Sequence, residues 1–132
     1  RNDGGGVFTD VVHNMAGVPG ATVAWADYDN DGDLDVLLAG DLTEDPFDLA
    51  YTTTLYRNDN ANVFTDVGLG IPGYINTRAR WGDADNDGDL DFYLTGYRPG
   101  PNYAGQIYFN QLSASNANTL PLNPTGLSST VN

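Results

Sequence analysis

Apolar residues in this chain come in short runs interrupted by Gly, Asn, Asp and Pro. The runs ATVAWA (21–26) and LDVLLAG (34–40) flank a strongly polar stretch. YTTTLYRN (51–58) and NVFTDV (62–67) follow, separated by the turn-rich Asp59-Asn60-Ala61. These runs are rich in β-branched and aromatic residues and bounded by turn formers, which predicts β-strands. No stretch sustains the i, i+3, i+4, i+7 spacing of an amphipathic helix. The expected fold class is all-β.

The pattern repeats. RNDGGGVFTDV (1–11) returns as RNDNANVFTDV (57–67), and Trp25 matches Trp81, Asp27 matches Asp83 and Gly40 matches Gly96, always 56 residues apart. Half of the positions in 1–40 are identical to their counterparts in 57–96. Beyond Gly96 the offset falls to 52, because Leu55-Tyr56 corresponds to Ile107-Tyr108. A change of length there marks a surface loop. A repeat of about 50 residues with about four strands is the signature of a β-propeller blade. The expectation is therefore two four-stranded repeats of about 56 residues forming an incomplete propeller. A β-sandwich is the alternative, although it does not call for the self-similarity.

Residues 1–20 read as the last strand and linker of a neighbouring blade, 21–67 as one blade, and 68–110 as a second. Residues 111–132, uncharged and rich in Ser, Asn, Thr and Pro, read as a linker. The chain starts inside a repeat without an initiator methionine, which reads as a piece of something longer.

Charge sharpens this picture. The formal net charge is −13, with five basic residues, all Arg, against 18 acidic ones. Nucleic acid and anionic membrane are poor partners for such a chain, since both need clustered positive charge. No run of about 18 apolar residues is present that would insert into a membrane. Hydrophobic residues at 40% argue against reading the acidity as disorder. Cysteine is absent, which removes disulfides and thiolate metal sites.

Ten of the 18 acidic residues lie in two nonapeptides, DYDNDGDLD (27–35) and DADNDGDLD (83–91). Carboxylates this dense repel one another unless a cation holds them. In the first loop Asp27, Asp29 and Asp31 occupy positions one, three and five, and Gly32 permits the bend. Asp33 can offer its backbone carbonyl and Asp35 closes the shell. Asp83, Asp85, Asp87, Asp89 and Asp91 repeat the arrangement. Such a set suits Ca²⁺, which takes six to eight oxygens at about 2.3–2.6 Å, better than Mg²⁺, which keeps more water. An EF-hand needs Glu at position twelve, where Leu38 and Leu94 stand. Zinc would want Cys or several His, and the chain has His13 alone. Two Ca²⁺ sites are expected, each between the first and second strands of its blade.

AWADYDNDGDLDVLLAG, RWGDADNDGDLDFYLTG and LYRNDNANVFTDV resemble the FG-GAP (VCBS-type) repeats of calcium-binding β-propellers, as in the α-subunit head of integrins. The resemblance covers about residues 1–110. It implies Ca²⁺ on one rim of a propeller, held by the ten aspartates named above. Propellers of this kind usually have more blades than two loops account for. NPTGLSSTVN is similar to the lead-in of a fibronectin type III domain, as follows such repeats in secreted bacterial proteins. The resemblance thus implies a secreted or cell-surface protein, bacterial in kind. Its partners would be further blades, from the same polypeptide or from other copies by head-to-tail strand addition. A glycan or protein ligand would complete the list.

Other residues carry weaker signals. Trp25 and Trp81, fixed just before each loop, are expected to pack the blades rather than stack sugars, and Phe8 and Phe64 are core candidates. Arg78 and Arg80, which replace Thr22 and Ala24, either pair with acidic loops or face water. His13 is expected on the surface. The unequal loops 41–51 and 97–103 are candidates for ligand contact. No nucleophile–base pair is visible, and the acids are absorbed by the cation loops, so no enzyme is expected. The expected function is a non-catalytic, calcium-binding extracellular module for adhesion, ligand binding or surface assembly. The alternatives are a lectin-like carbohydrate binder and a structural subunit of an extracellular fibre.

Overall fold

The computed structural model describes residues 1–43, 50–59, 63–98 and 102–111, with the backbone alone for 102–104. Seven strands follow in order: β1 (Thr22–Ala26), β2 (Asp35–Asp41), β3 (Tyr51–Asn58), β4 (Phe64–Asp66), β5 (Ile75–Gly82), β6 (Asp91–Arg98) and β7 (Asn102–Tyr108). The described residues contain no helix. Strands β1-β2-β3-β4 form one antiparallel sheet and β5-β6-β7 a second, each with sequential neighbours paired. The all-β expectation holds, and the acidic loops fall between β1 and β2 and between β5 and β6. The first sheet has the expected four strands, the second three among the described residues. Among these residues the two sheets close into neither a barrel nor a ring.

Side-chain alternation explains the packing. On β2, Val36 and Leu38 point to one face and Leu37 and Ala39 to the other, and all four are buried. Val36 and Leu38 join Tyr56 and Phe64, with Met15, Val18 and Ala21 of the lead-in segment laid against them. Leu37, Ala39 and Leu55 join Tyr74, Ala79, Phe92 and Leu94 from the second sheet. Strand β2 is thus covered on both faces, which is why its sequence is a continuous apolar run rather than an alternating one. On β5 the alternation is clean, with Thr77 and Ala79 inside and Arg78 and Arg80 outside.

Close approach between the sheets is made by glycine and threonine. Thr77 Oγ1 donates to the Ala39 carbonyl at 2.9 Å, and Thr53 Oγ1 to the Pro72 carbonyl at 3.1 Å. Gly73 lies against β3, where a Cβ would sit 2.0 Å from the carbonyl carbon of Tyr51. No side chain fits there.

Residues 1–3 meet 7–9 as 57–59 meet 63–65. Asn2 bridges Phe8 as Asn58 pairs with Phe64. Arg1 Nε meets Asp3 at 2.6 Å as Arg57 Nε meets Asp59 at 2.7 Å. Thr9 and Thr65 each donate a hydroxyl to that aspartate. Both Asp3 and Asp59 are held below the usual carboxylate range by their Thr and Arg partners. Within residues 1–20, expected to hold a last strand and linker, the strand pairing is an isolated bridge at Phe8, and Phe8 is exposed rather than core. Its counterpart Phe64 has a sheet to pack on, whereas Phe8 has none. His13 is exposed, as expected.

Candidate metal centre

The strand ends place the two outer carboxylates of each loop. Asp27 directly follows β1, and Asp35 opens β2. Asp35 is fully buried; its Oδ2 accepts the Tyr28 N–H at 2.9 Å and its Oδ1 the Asn58 N–H at 2.8 Å. In the second loop Asp91 is equally buried, accepting the Ala84 N–H at 2.7 Å and the Asn110 N–H at 2.9 Å. A carboxylate held by two backbone donors fixes the loop at its base.

The tip is shaped by residues that tolerate left-handed backbone. Asn30 and Asn86 have φ of 61° and 63°, and Gly32 and Gly88 have φ of 96° and 97°. Asn tolerates the first conformation, and the second favours glycine. At Gly32 an added Cβ would meet nothing within 4 Å, so backbone conformation and not crowding requires it. Asp27 caps the turn, Oδ1 accepting the Asp31 N–H at 3.0 Å and Oδ2 the Gly32 N–H at 3.1 Å. Asp83 Oδ2 accepts the Gly88 N–H at 3.2 Å.

Folding in this way brings one oxygen each from Asp27, Asp29 and Asp35 within 4.8 Å of one another, and likewise from Asp83, Asp85 and Asp91. Six of the ten expected residues therefore have their carboxylates assembled. Asp31 and Asp87 turn aside, each accepting the N–H two residues on, at 2.9 Å, from Asp33 and Asp89. Asp33 and Asp89 were expected to contribute backbone carbonyls, and their carboxylates do not join the triads.

The electrostatics are those of a site without a counter-charge. Burial pushes the Asp29 and Asp35 carboxyls up, and the charge of Asp31 adds to both. At Asp35 the Asn58 and Tyr28 N–H groups oppose that rise. Asp85 is likewise pushed up by desolvation. Asp29 Oδ1 and Asp83 Oδ1 are buried without a hydrogen-bond partner. A buried acceptor left in that state costs about 1–3 kcal/mol, more when charged. An all-oxygen, all-anionic cluster with a buried unmet oxygen fits a hard cation. Two such clusters could hold a metal ion.

Arg78 and Arg80 bend back on their own strand instead of reaching the loops, each donating through Nη1 to the carbonyl of the preceding residue, at 2.8 and 2.7 Å. Trp81 packs edge-on against Phe92 at 5.3 Å, as expected of a packing residue. Trp25, edge-on to Phe64 at 6.3 Å, is more than half exposed. Sequence reasoning missed Asn58 and Asn110, whose backbone N–H groups anchor the triads. They stand 52 residues apart, at the offset of the preceding Tyr56 and Tyr108, and that alignment could have found them. Asn110 also ties the sheets together, its Nδ2 donating to the Tyr28 carbonyl at 2.9 Å. Beside that bond lies a cavity of about 450 Å³ walled by Tyr28, Trp81, Phe92, Tyr108 and Phe109. Residues 44–49 and 99–101 of the variable loops, and the tail beyond Gln111, lie outside the described residues.

Comparison with protein-family models, curated proteins and solved structures gives no significant match. No helix among the described residues is long and apolar enough to cross a membrane.

Proposed function

We propose that the chain is a non-catalytic, calcium-binding segment of an extracellular β-propeller serving adhesion, ligand binding or surface assembly. The observation that carries the reading is the same aspartate triad built twice, each time with a buried oxygen lacking a hydrogen-bond partner. Ca²⁺ supplies the missing charge and accepts the irregular, oxygen-only donor set. Asp27, Asp29 and Asp35 would hold one ion and Asp83, Asp85 and Asp91 the other. Extracellular modules bind at about 10⁻⁴–10⁻³ M, which suits millimolar Ca²⁺ outside cells. A cation that binds only the folded chain stabilises it by mass action. Melting in Ca²⁺, in Mg²⁺ and in excess EGTA tests the reading. The expected result is a large rise in Ca²⁺, a smaller one in Mg²⁺, and the lowest value in EGTA. An EGTA-insensitive melt would overturn it.

A second reading is a lectin-like carbohydrate binder, favoured by the aromatic walls of the 450 Å³ cavity. A glycan array separates the two. Binding that is lost in Tyr108→Ala would favour the lectin.

A further inference from the structure

The two sheets turn equivalent faces to different surroundings. Leu37 and Leu55, on the face of the first sheet that meets the second, are 0% and 3% exposed. Their counterparts on the second sheet, Tyr93 and Ile107, are cross-strand partners at 46% and 49% exposed. On the opposite face the asymmetry reverses: Ala79 of the second sheet is 0% exposed, and its counterpart Val23 on the first is 49% exposed. Gly73 is pressed onto the backbone of β3, whereas a Cβ added at its counterpart Gly17 would meet nothing within 4 Å. Tyr93 and Ile107 are therefore bare on one face of the molecule and Val23 and Trp25 on another, while Val36 and Leu38, the counterparts of Phe92 and Leu94, are already covered by Met15, Val18 and Ala21.

We propose that these two bare faces bind each other between copies of this chain, so that the first sheet of one copy stacks on the second sheet of the next. The internal interface shows which face covers which, and it names the occupant. Val23 of the incoming copy takes the place of Ala79, over Tyr93 and Ile107. Gly17 lets its segment lie on β7 at Tyr103, as Gly73 lies on β3 at Tyr51. Ala24 and Trp81 belong to the internal cluster, and their counterparts across the new contact are Arg80 and Trp25. A guanidinium over an indole face is attractive, so the introduction of Arg80 at the interface is matched. The counterparts of Thr77 and Thr53 are Ala21 and Gly105, so the two threonine hydrogen bonds of the internal contact are missing from the new one. It is accordingly weaker than the internal one and depends on concentration. The contact is heterologous and propagates into a ring or an open fibre. It rests on the repeated sheets and not on the cation reading, and it uses faces where strand addition would use edges.

Sedimentation velocity on the calcium-saturated chain over a wide concentration range tests the stack. Wild type is expected to grow beyond a dimer as concentration rises. Val23→Glu alone and Tyr93→Glu/Ile107→Glu alone are expected to stay monomeric, with dissociation constants raised at least about tenfold. A mixture of the two is expected to give a one-to-one dimer and stop, since each variant keeps one intact face. Arg80→Ala is expected to weaken association about threefold. Because wild type has no cysteine, Val23→Cys in one population and Tyr93→Cys in another provide a second readout. A short bismaleimide is expected to cross-link the mixture and neither population by itself. A wild type that stays monomeric throughout, or a Val23→Glu variant that still self-associates, would overturn the proposal, whatever the melting response to Ca²⁺.

Discussion

The two repeats hold their acidic loops in one geometry and their sheet faces in two different states. The tip dihedrals agree within a few degrees, Asn30 with Asn86 and Gly32 with Gly88. The base hydrogen bonds agree as well, although Tyr28 in one loop is Ala84 in the other. By contrast, Leu37 is sealed and Tyr93 half exposed at equivalent places. The loop is shaped by nine residues and one N–H from Asn58 or Asn110, so it survives a change of surroundings. A sheet face is finished only when another layer arrives, so identical architecture leaves one face covered and its counterpart bare.

Substitutions at equivalent face positions probe that contrast most strongly. Leu37→Ala is expected to destabilise the chain by about 2–5 kcal/mol, because the cavity is enclosed on both sides. Tyr93→Ala, at the equivalent site, is expected to cost no more than about 1 kcal/mol, since its surroundings are already open. Urea unfolding of dilute protein measures both, and equal losses would break the comparison. Next in size is the loop base. With EGTA present, so that no cation contributes, Asp35→Ala leaves the Tyr28 and Asn58 N–H groups unpaired and is expected to cost about 1–3 kcal/mol. Asp31→Ala, at the exposed tip, is expected to be nearly silent there. Asp91→Ala is expected to match Asp35→Ala, because Asp91 makes the same two bonds.

Much of this was legible in the sequence, for reasons the two loops make plain. Strand β3 falls on residues 51–58 as expected, and β1 and β2 within a residue, because short apolar runs bounded by turn formers leave the backbone few choices. The positive φ at Gly32 and Gly88 was implied by glycine at the sixth position of a tight loop. Three things were not legible. Which carboxylates converge does not follow from spacing: Asp31 and Asp87 bond their own turn and stay out of the triads, whereas Asp27 and Asp85 bond the turn and belong to them. The anchoring donors come from Asn58 and Asn110, far along the chain, through strand pairing that spacing alone does not reveal. Phe8 stands in the same words as Phe64, VFTDV, yet only Phe64 is buried, because burial needs the sheet that β1 to β3 provide.

Two smaller effects sharpen the loop side of the comparison. Gly32→Val is expected to cost roughly 1–2 kcal/mol, since its φ of 96° strains any β-branched residue. Tyr28→Val is expected to cost less, and thermal unfolding of the pair would show whether the tip or the flank sets the geometry. The smallest effect is one of pH. Asp29 and Asp35 titrate above their ordinary value of 3.8 in the folded chain. Without a cation, their ionisation at neutral pH works against folding. The EGTA-treated chain is therefore expected to gain stability as pH falls from neutral through those raised values, with no further gain below 3.8. Asp3 and Asp59, held low, lose their contribution only below 3.8 and leave that window clear. In saturating Ca²⁺ the trend is expected to reverse, because protons then compete with the ion. Melting scans at about pH 5 and pH 7, with and without Ca²⁺, give the four values needed.

The central claim is that the two loops are equivalent cation sites. Isothermal titration of the EGTA-stripped, dialysed chain with Ca²⁺ tests it most directly. The expected result is two ions per chain with dissociation constants of the same order, about 10⁻⁴–10⁻³ M, falling to one ion in Asp29→Ala and to one in Asp85→Ala. Absence of binding heat up to tens of millimolar Ca²⁺, together with unchanged melting, would contradict it.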